Sequence, residues 1–345
     1  MRIRRTFPVV LLVVIIAAAV TLAVQLRKHA PPEPARLLPG ADAFFYLNLS
    51  AVRRANAGKD LAAVSHDPEY ERFIRETGFQ FERDLDKAAF AVHYPAKWPG
   101  GGTGGSAPEL RFSEVLEGKF HGERLTVYLR QIAKSVEIYH SVEIFTILVE
   151  GRSVRVAVLS ADSVAASNHD DPAVIEGMVD RSRRLASPFG GPALLRQYYM
   201  HVQLASLAWV VARIEPGSRE DGGWSAIFTR PATLVVSGSV LNPLHPMANA
   251  VHLRAQAFTQ SPDEARAVAD KANLFIALSR SAETAVGAHG TDADVKALFD
   301  SLQVKQEGDR ATLTARIPSG FLKKALSDTP GESAPAGEAA APSTK

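Results

Sequence analysis

"NAVHLRAQAFTQSPDEARAVADKANLFIALSRSAETAV", residues 249–286, reads as a strand that runs directly into a long helix. The switch is marked at Ser261–Glu264. Ser261 caps the helix, Pro262 takes the first helical position where a missing N–H costs nothing, and Glu264 completes a capping box. Downstream, residues 295–326 give helix, strand, a turn at Glu307–Gly308–Asp309, strand and a final helix. Upstream, "ASLAWVVARIE" (Ala205–Glu215) and "ATLVVSGSV" (Ala232–Val240) read as strands. The second half of the chain is therefore a mixed unit of helices and strands.

The first half carries similar punctuation. "ADAFFYLNLS" (Ala41–Ser50) is a strand, and "DPEYERFIRETG" (Asp67–Gly78) a helix capped by Asp67, opened by Pro68 and ended by Gly78. Strands Asp86–Tyr94 and Leu110–Phe120 follow, then helix Gly122–Lys134, further strands over 136–151 and 153–167, and helix Asp171–Arg184. That order resembles a ferredoxin-like split βαβ unit, with more strands than the minimal unit needs. Both halves share strand, long helix and paired-strand order, compatible with a duplication without residue-by-residue identity. The expected fold class is α+β: two mixed α/β modules, 41–187 and 188–327, built as duplicated ferredoxin-like units with antiparallel sheets.

The amino terminus belongs to another environment. Phe7–Leu26 is uncharged over twenty residues, about 30 Å as a helix, which matches the hydrocarbon thickness of a bilayer. Arg2, Arg4 and Arg5 precede it, and Arg27 and Lys28 follow. Residues 1–30 read as a signal-anchor or transmembrane segment. Small residues at Ala17, Ala19, Thr21 and Ala23 keep a cleaved leader as the competing reading, although a cleavable apolar region is normally shorter. The basic bias favours an inside amino terminus and a translocated C-terminal part. Pro31, Pro32 and Pro34 suggest a stiff spacer over 31–40, and the Pro/Ala/Gly/Glu-rich tail 328–345 lacks any core-forming pattern.

Composition excludes several chemistries. The 345 residues include no cysteine, so disulfides, thiolate nucleophiles and cysteine-ligated metals are absent. Net charge is +2, and five of the basic residues flank the apolar segment, leaving a mildly acidic remainder that argues against nucleic acid as partner. The glycine-dense "WPGGGTGGSAP" (residues 98–108) lacks the following helix and Lys of a phosphate loop and reads as a flexible connection. Ser237 and Ser239 share one glycine inside a strand, unlike a nucleophile elbow. His66–Asp67 and His169–Asp170–Asp171 precede helices, where Asp67 and Asp171 serve as caps. His121 sits in a turn, His93 and His140 in strand-like segments, and His245 among prolines. Glu82, Asp84 and Asp86 would share a face if the run were extended, but lack the spacing of a calcium loop. Arg181–Arg184 sit at a helix end, and "LLRQYYMHVQLASLAWVV" (Leu194–Val211) concentrates Tyr198, Tyr199, Met200 and Trp209 between the halves. No catalytic, cofactor-binding or metal-ligating residue is assigned, and no cofactor is implied.

"LLPGADAFFYLNLSAVRR" directly after one apolar anchor, followed by "TGFQFERDLDKAAFAV", resembles bacterial single-pass membrane-anchored envelope proteins over roughly Leu37–Val92. The resemblance implies an envelope context and transfers no activity or site residues. The expectation is an inner-membrane single-pass protein with its C-terminal part outside the cytoplasm. Its partners would be the lipid bilayer, through Phe7–Leu26, and another envelope protein. A non-enzymatic interaction or scaffolding role leads, followed by a binder of a small or apolar ligand in a cleft between the modules, and then an envelope hydrolase. Deleting Phe7–Leu26 should move the chain from the membrane to the soluble fraction on cell fractionation. Recovery of the full-length chain in the soluble cytosolic fraction with an intact amino terminus would overturn the anchor.

Overall fold

The computed structural model describes residues 30–55, 68–94, 110–149, 151–183, 191–216, 224–240, 250–286 and 293–321. The first half runs α1 (Glu33–Leu37), β1 (Ala43–Asn48), α2 (Leu49–Ala55), α3 (Pro68–Thr77), α4 (Phe81–Asp84), β2 (Leu85–His93), β3 (Arg111–Gly118), α5 (Gly122–Ile132), β4 (Ser135–Tyr139), β5 (Val142–Val149), β6 (Arg152–Val158), β7 (Ser163–Ser167) and α6 (Ala173–Arg183). The second runs α7 (Ala193–Tyr198), β8 (Ser206–Ile214), α8 (Trp224–Ile227), β9 (Ala232–Val240), β10 (Ala250–Phe258), α9 (Pro262–Val286), α10 (Ala293–Ser301), β11 (Gln303–Glu307) and β12 (Arg310–Pro318). The Phe7–Leu26 segment, His66, Asp67, the glycine-dense stretch 98–108, His245 and the tail 328–345 lie outside the described residues. Among the described residues no helix is long and apolar enough to cross a membrane.

Local chemistry sets the element boundaries. Gly78 ends α3 at φ 75°, its N–H donating to the Ile74 carbonyl at 2.8 Å. Asp171 Oδ1 accepts from the Ala173 N–H at 3.0 Å as the α6 cap. Ser261 Oγ accepts from the Glu264 N–H at 3.3 Å, while the Glu264 carboxylate accepts from Gln260, one residue earlier than in a standard capping box. His140 and Ser141 have φ of 45° and 64°, the two central residues of a tight hairpin between β4 and β5. His140 is thus a turn residue, where the sequence suggested a strand.

All twelve strands form one sheet in the order β11-β12-β10-β9-β8-β1-β2-β3-β7-β6-β5-β4, and every pair is antiparallel. The antiparallel pairing is as expected, but the two modules share one continuous sheet whose order departs from a simple ferredoxin-like unit. A split βαβ unit joins two parallel strands, with a third strand between them, by a crossover helix. β10, α9 and β11 with β12 between them have that arrangement, but each half begins as a three-strand meander. In each half a helix excursion follows the third strand, and the last strand returns beside that third strand: β7 beside β3, β12 beside β10. The halves therefore follow the same path about an approximate two-fold axis normal to the sheet. The first half adds an outer hairpin.

The seam is the antiparallel pairing of β1 with β8, which sets Tyr46 opposite Trp209. Their rings stack at 5.4 Å, and Tyr199 meets Trp209 edge-on at the same centroid distance. Trp209 and Tyr199 of the Tyr/Trp-rich section thus pack at the junction of the halves, while Met200 is 63% exposed. One sheet face is filled here by Phe44, Ala89, Val115, Val211 and Val235 against α1, α6 and α7. The proposed spacer belongs to this core. Ala35, Leu37 and Leu38 are 0%, 3% and 1% exposed, so residues 31–40 dock on the sheet and do not extend as a free strut. Burial of each leucine contributes about 1.5–3 kcal/mol, which offsets part of the entropy cost of ordering the segment. Trp209→Ala should cost about 3–5 kcal/mol in urea-induced unfolding, because it empties the seam on both sides of the stack.

Candidate functional site: an apolar trough across the seam

The other face of the sheet is covered unevenly. α5 rests on β5, with Leu125 and Leu129 against Phe145, Val154 and Val156. α9 and α10 rest on β11 and β12, and Val268 and Ala269 meet Ala257 and Ala311. The described residues that reach the strands between do so towards their ends: α2 meets β2 and β8, Phe73 and Phe79 pack with Leu85 and Ala88 of β2, and Ile227 and Phe228 pack with Ile214 of β8 and Ala232 of β9. The floor left between these wings is β3, β2, β1, β8, β9 and β10, roughly 24 Å wide at about 4.8 Å per strand.

Strand alternation decides what this floor presents. Register places Phe45 beside Phe90 and Val210, Leu47 beside Ala88 and Ala208, and Val236 beside Val210 and Ala255. An uncovered antiparallel face is ordinarily polar. This one is apolar, and at its centre Phe45 and Leu47 are 39% and 41% exposed. A contiguous exposed apolar surface is the usual mark of a binding site.

One titratable group interrupts the floor. Glu114 on β3 lies opposite Phe90 on one side and Ala166 on the other. Its carboxyl makes no hydrogen bond or ion pair with any described residue, and burial alone pushes its pKa up to about 7. Near neutral pH it is partly protonated and can donate one hydrogen bond into an apolar setting. A long apolar molecule with one oxygen acceptor matches that combination.

The residues singled out by sequence go elsewhere. Glu82, Asp84 and Asp86 do not form a shared carboxylate face, because residues 81–84 are a helical turn. Glu82 accepts from the Tyr70 hydroxyl at 2.9 Å, Asp84 from the Gln80 N–H at 3.0 Å, and Asp86 pairs with Arg53 at 2.5 Å. Glu82 and Asp84 are buried there, so the run is a structural network and not a solvated turn. Arg181 donates to the Leu37 carbonyl at 2.7 Å and ties α6 to α1. Ser237 and Ser239 face Gln203. His93 and His169 meet with ring centroids 5.2 Å apart; burial first, then the His169 charge, holds His93 below the usual imidazole range. Among the described residues no group of three His, Asp or Glu is placed to hold a metal ion. Glu114 was not singled out, since a Glu in "LRFSEVLEGKF" looks like any half-exposed strand residue until its cross-strand neighbours are known.

No family model matches the chain, and no curated protein matches it. Similar solved structures are crystal form III of TP0453, 10% identical with a TM-score of 0.44 over 85% of this chain and 97% of that chain, and crystal form IV, 10% identical with a TM-score of 0.41 over 85% and 96%.

Glu114 makes a pH-dependent prediction. Its folded pKa lies above the ordinary 4.5, so its contribution to stability is complete below that value and is lost as pH rises towards about 7. Glu114→Gln should leave the melting temperature unchanged at pH 4 and raise it at pH 8, by the equivalent of about 3 kcal/mol. Equal effects at both pH values would show that the carboxyl is not held in an apolar setting.

Proposed function

We propose that this chain is a membrane-anchored, non-catalytic binding protein of the bacterial cell envelope that holds an apolar ligand in the trough between its two halves. The observation that carries the reading is the half-exposure of Phe45 and Leu47 at the centre of a twelve-stranded sheet, on a face with a floor of apolar side chains. An acyl or isoprenoid chain would cover that floor, and the protonated Glu114 would donate to an oxygen near one end of the molecule. The shared path of the two halves supports reading them as copies of one unit, which places the trough on the axis between them.

A protein-partner role is favoured by a different observation. β4 is the outermost strand on its side, and its Val136 and Ile138 are 44% and 76% exposed. Such an edge accepts an added strand from a partner.

Photo-crosslinking from a benzophenone side chain in living bacteria separates the two roles. At Leu47, the ligand reading expects an adduct of one small molecule, seen as a discrete mass increase without a gel shift. At Val127, exposed on the outer surface of α5, it expects none. A protein-sized adduct at Leu47, or no adduct there, would overturn the ligand reading; a protein-sized adduct at Ile138 would support the strand-addition role.

A further inference from the structure

We propose a second binding site, on the opposite face of the sheet in the second half, for a small hydroxylated phosphate monoester. It is a depression of about 490 Å³ between the segment Met200–Leu204 and the strands β10, β11 and β12. That volume lies in the range typical of small-molecule sites.

The floor is a ladder of polar side chains. Gln256 on β10 lies opposite Thr312 on β12, which lies opposite Lys305 on β11. Arg254 is the next residue on the same face of β10, and Arg310 stands beside Glu307 at the rim. A merely solvated sheet face is also polar, but it leaves its side chains in water. Here Gln256 is only 6% exposed, its buried Oε1 has no partner, and the buried Thr312 Oγ1 has none either. A buried polar atom left unpaired costs about 1–3 kcal/mol.

Charge gives the second half of the specificity. Arg254 and Lys305 make no ion pair with any described residue, while Arg310 is held by Glu307 at 3.1 Å. Two uncommitted cations therefore face one pocket. At the rim, burial first and then the Arg310 charge lower the pKa of His201. A phosphate monoester carries nearly two negative charges at neutral pH, which Arg254 and Lys305 match. Hydroxyls beside the phosphate would donate to Gln256 and exchange a hydrogen bond with Thr312. The site shares no residue with the trough and does not depend on it.

The test is calorimetric titration of the full-length chain in phosphatidylcholine nanodiscs with glycerol 3-phosphate, inorganic phosphate and glycerol. Glycerol 3-phosphate should bind saturably at one site per chain, inorganic phosphate more weakly and glycerol not at all. Arg254→Gln should weaken glycerol 3-phosphate binding at least about tenfold, the loss of one charge-assisted hydrogen bond. Gln256→Leu should weaken glycerol 3-phosphate more than inorganic phosphate, with a melting temperature equal to or above that of the parent chain. Because phosphatidic acid presents a phosphate monoester at a membrane surface, whereas phosphatidylcholine carries only a diester, the titration is repeated with phosphatidic acid in the disc; competition would assign the headgroup as the source, and unchanged binding a soluble one. Absence of saturable glycerol 3-phosphate binding, or parent-like affinity in Arg254→Gln, would overturn the site.

Discussion

The pairing of β1 with β8 is the constraint on which the rest of the structure depends. It joins the two halves edge to edge, so each loses an open strand that would otherwise be free to pair elsewhere. Backbone hydrogen bonds alone would let the register slip. The Tyr46–Trp209 stack, with Tyr199 against the same indole, fixes it by placing large rings where only this alignment packs them. Because the central pair is antiparallel, the two halves turn the same faces in the same directions.

That shared orientation explains why one face has a filled centre and the other an empty one. α1, α6 and α7 pack over the middle on one side. On the other side α5 and α9 follow the third strand of each meander and are carried outward, to opposite wings. Among the described residues, two-fold repetition of a unit whose long helix sits off-centre leaves the middle of that face without a long helix. The floor of that central strip stays apolar, which is why its exposure has functional weight and why burial raises the pKa of Glu114, set opposite Phe90 and Ala166, to about 7.

The polar depression in the second half has the converse origin. No helix core extends over the outer strands on that face, so β10 and β12 alternate Arg254, Gln256, Thr312 and Thr314 with apolar residues directed to α9 and α10. The segment Met200–Leu204 then closes over part of this polar surface. Partial closure turns an ordinary solvated face into a site with buried, unpaired hydrogen-bonding atoms.

Much of the local structure was legible in the sequence. Ser261–Pro262, Asp171 and Gly78 mark helix ends through hydrogen bonds to residues a few positions away, and such short-range chemistry is written in the order of residues. Alternation in "VHLRAQAF" likewise fixes which side chains of β10 share a face. The sequence also determined the absence of thiol chemistry and the presence of one uninterrupted apolar segment at the amino terminus. It did not determine which strands pair. The meander that opens each half and a ferredoxin-like unit contain similar elements and differ in contacts between residues tens of positions apart, while the seam joins residues much farther apart, as Leu47 with Ala208. For the same reason residues 31–40 look like a spacer until the distant strands that bury Leu37 and Leu38 are in place, and Glu114 and Gln256 look like ordinary strand residues until their neighbours remove them from water. Tertiary structure alone decided these points, because burial and unmet hydrogen bonds belong to the assembled sheet and to no single segment.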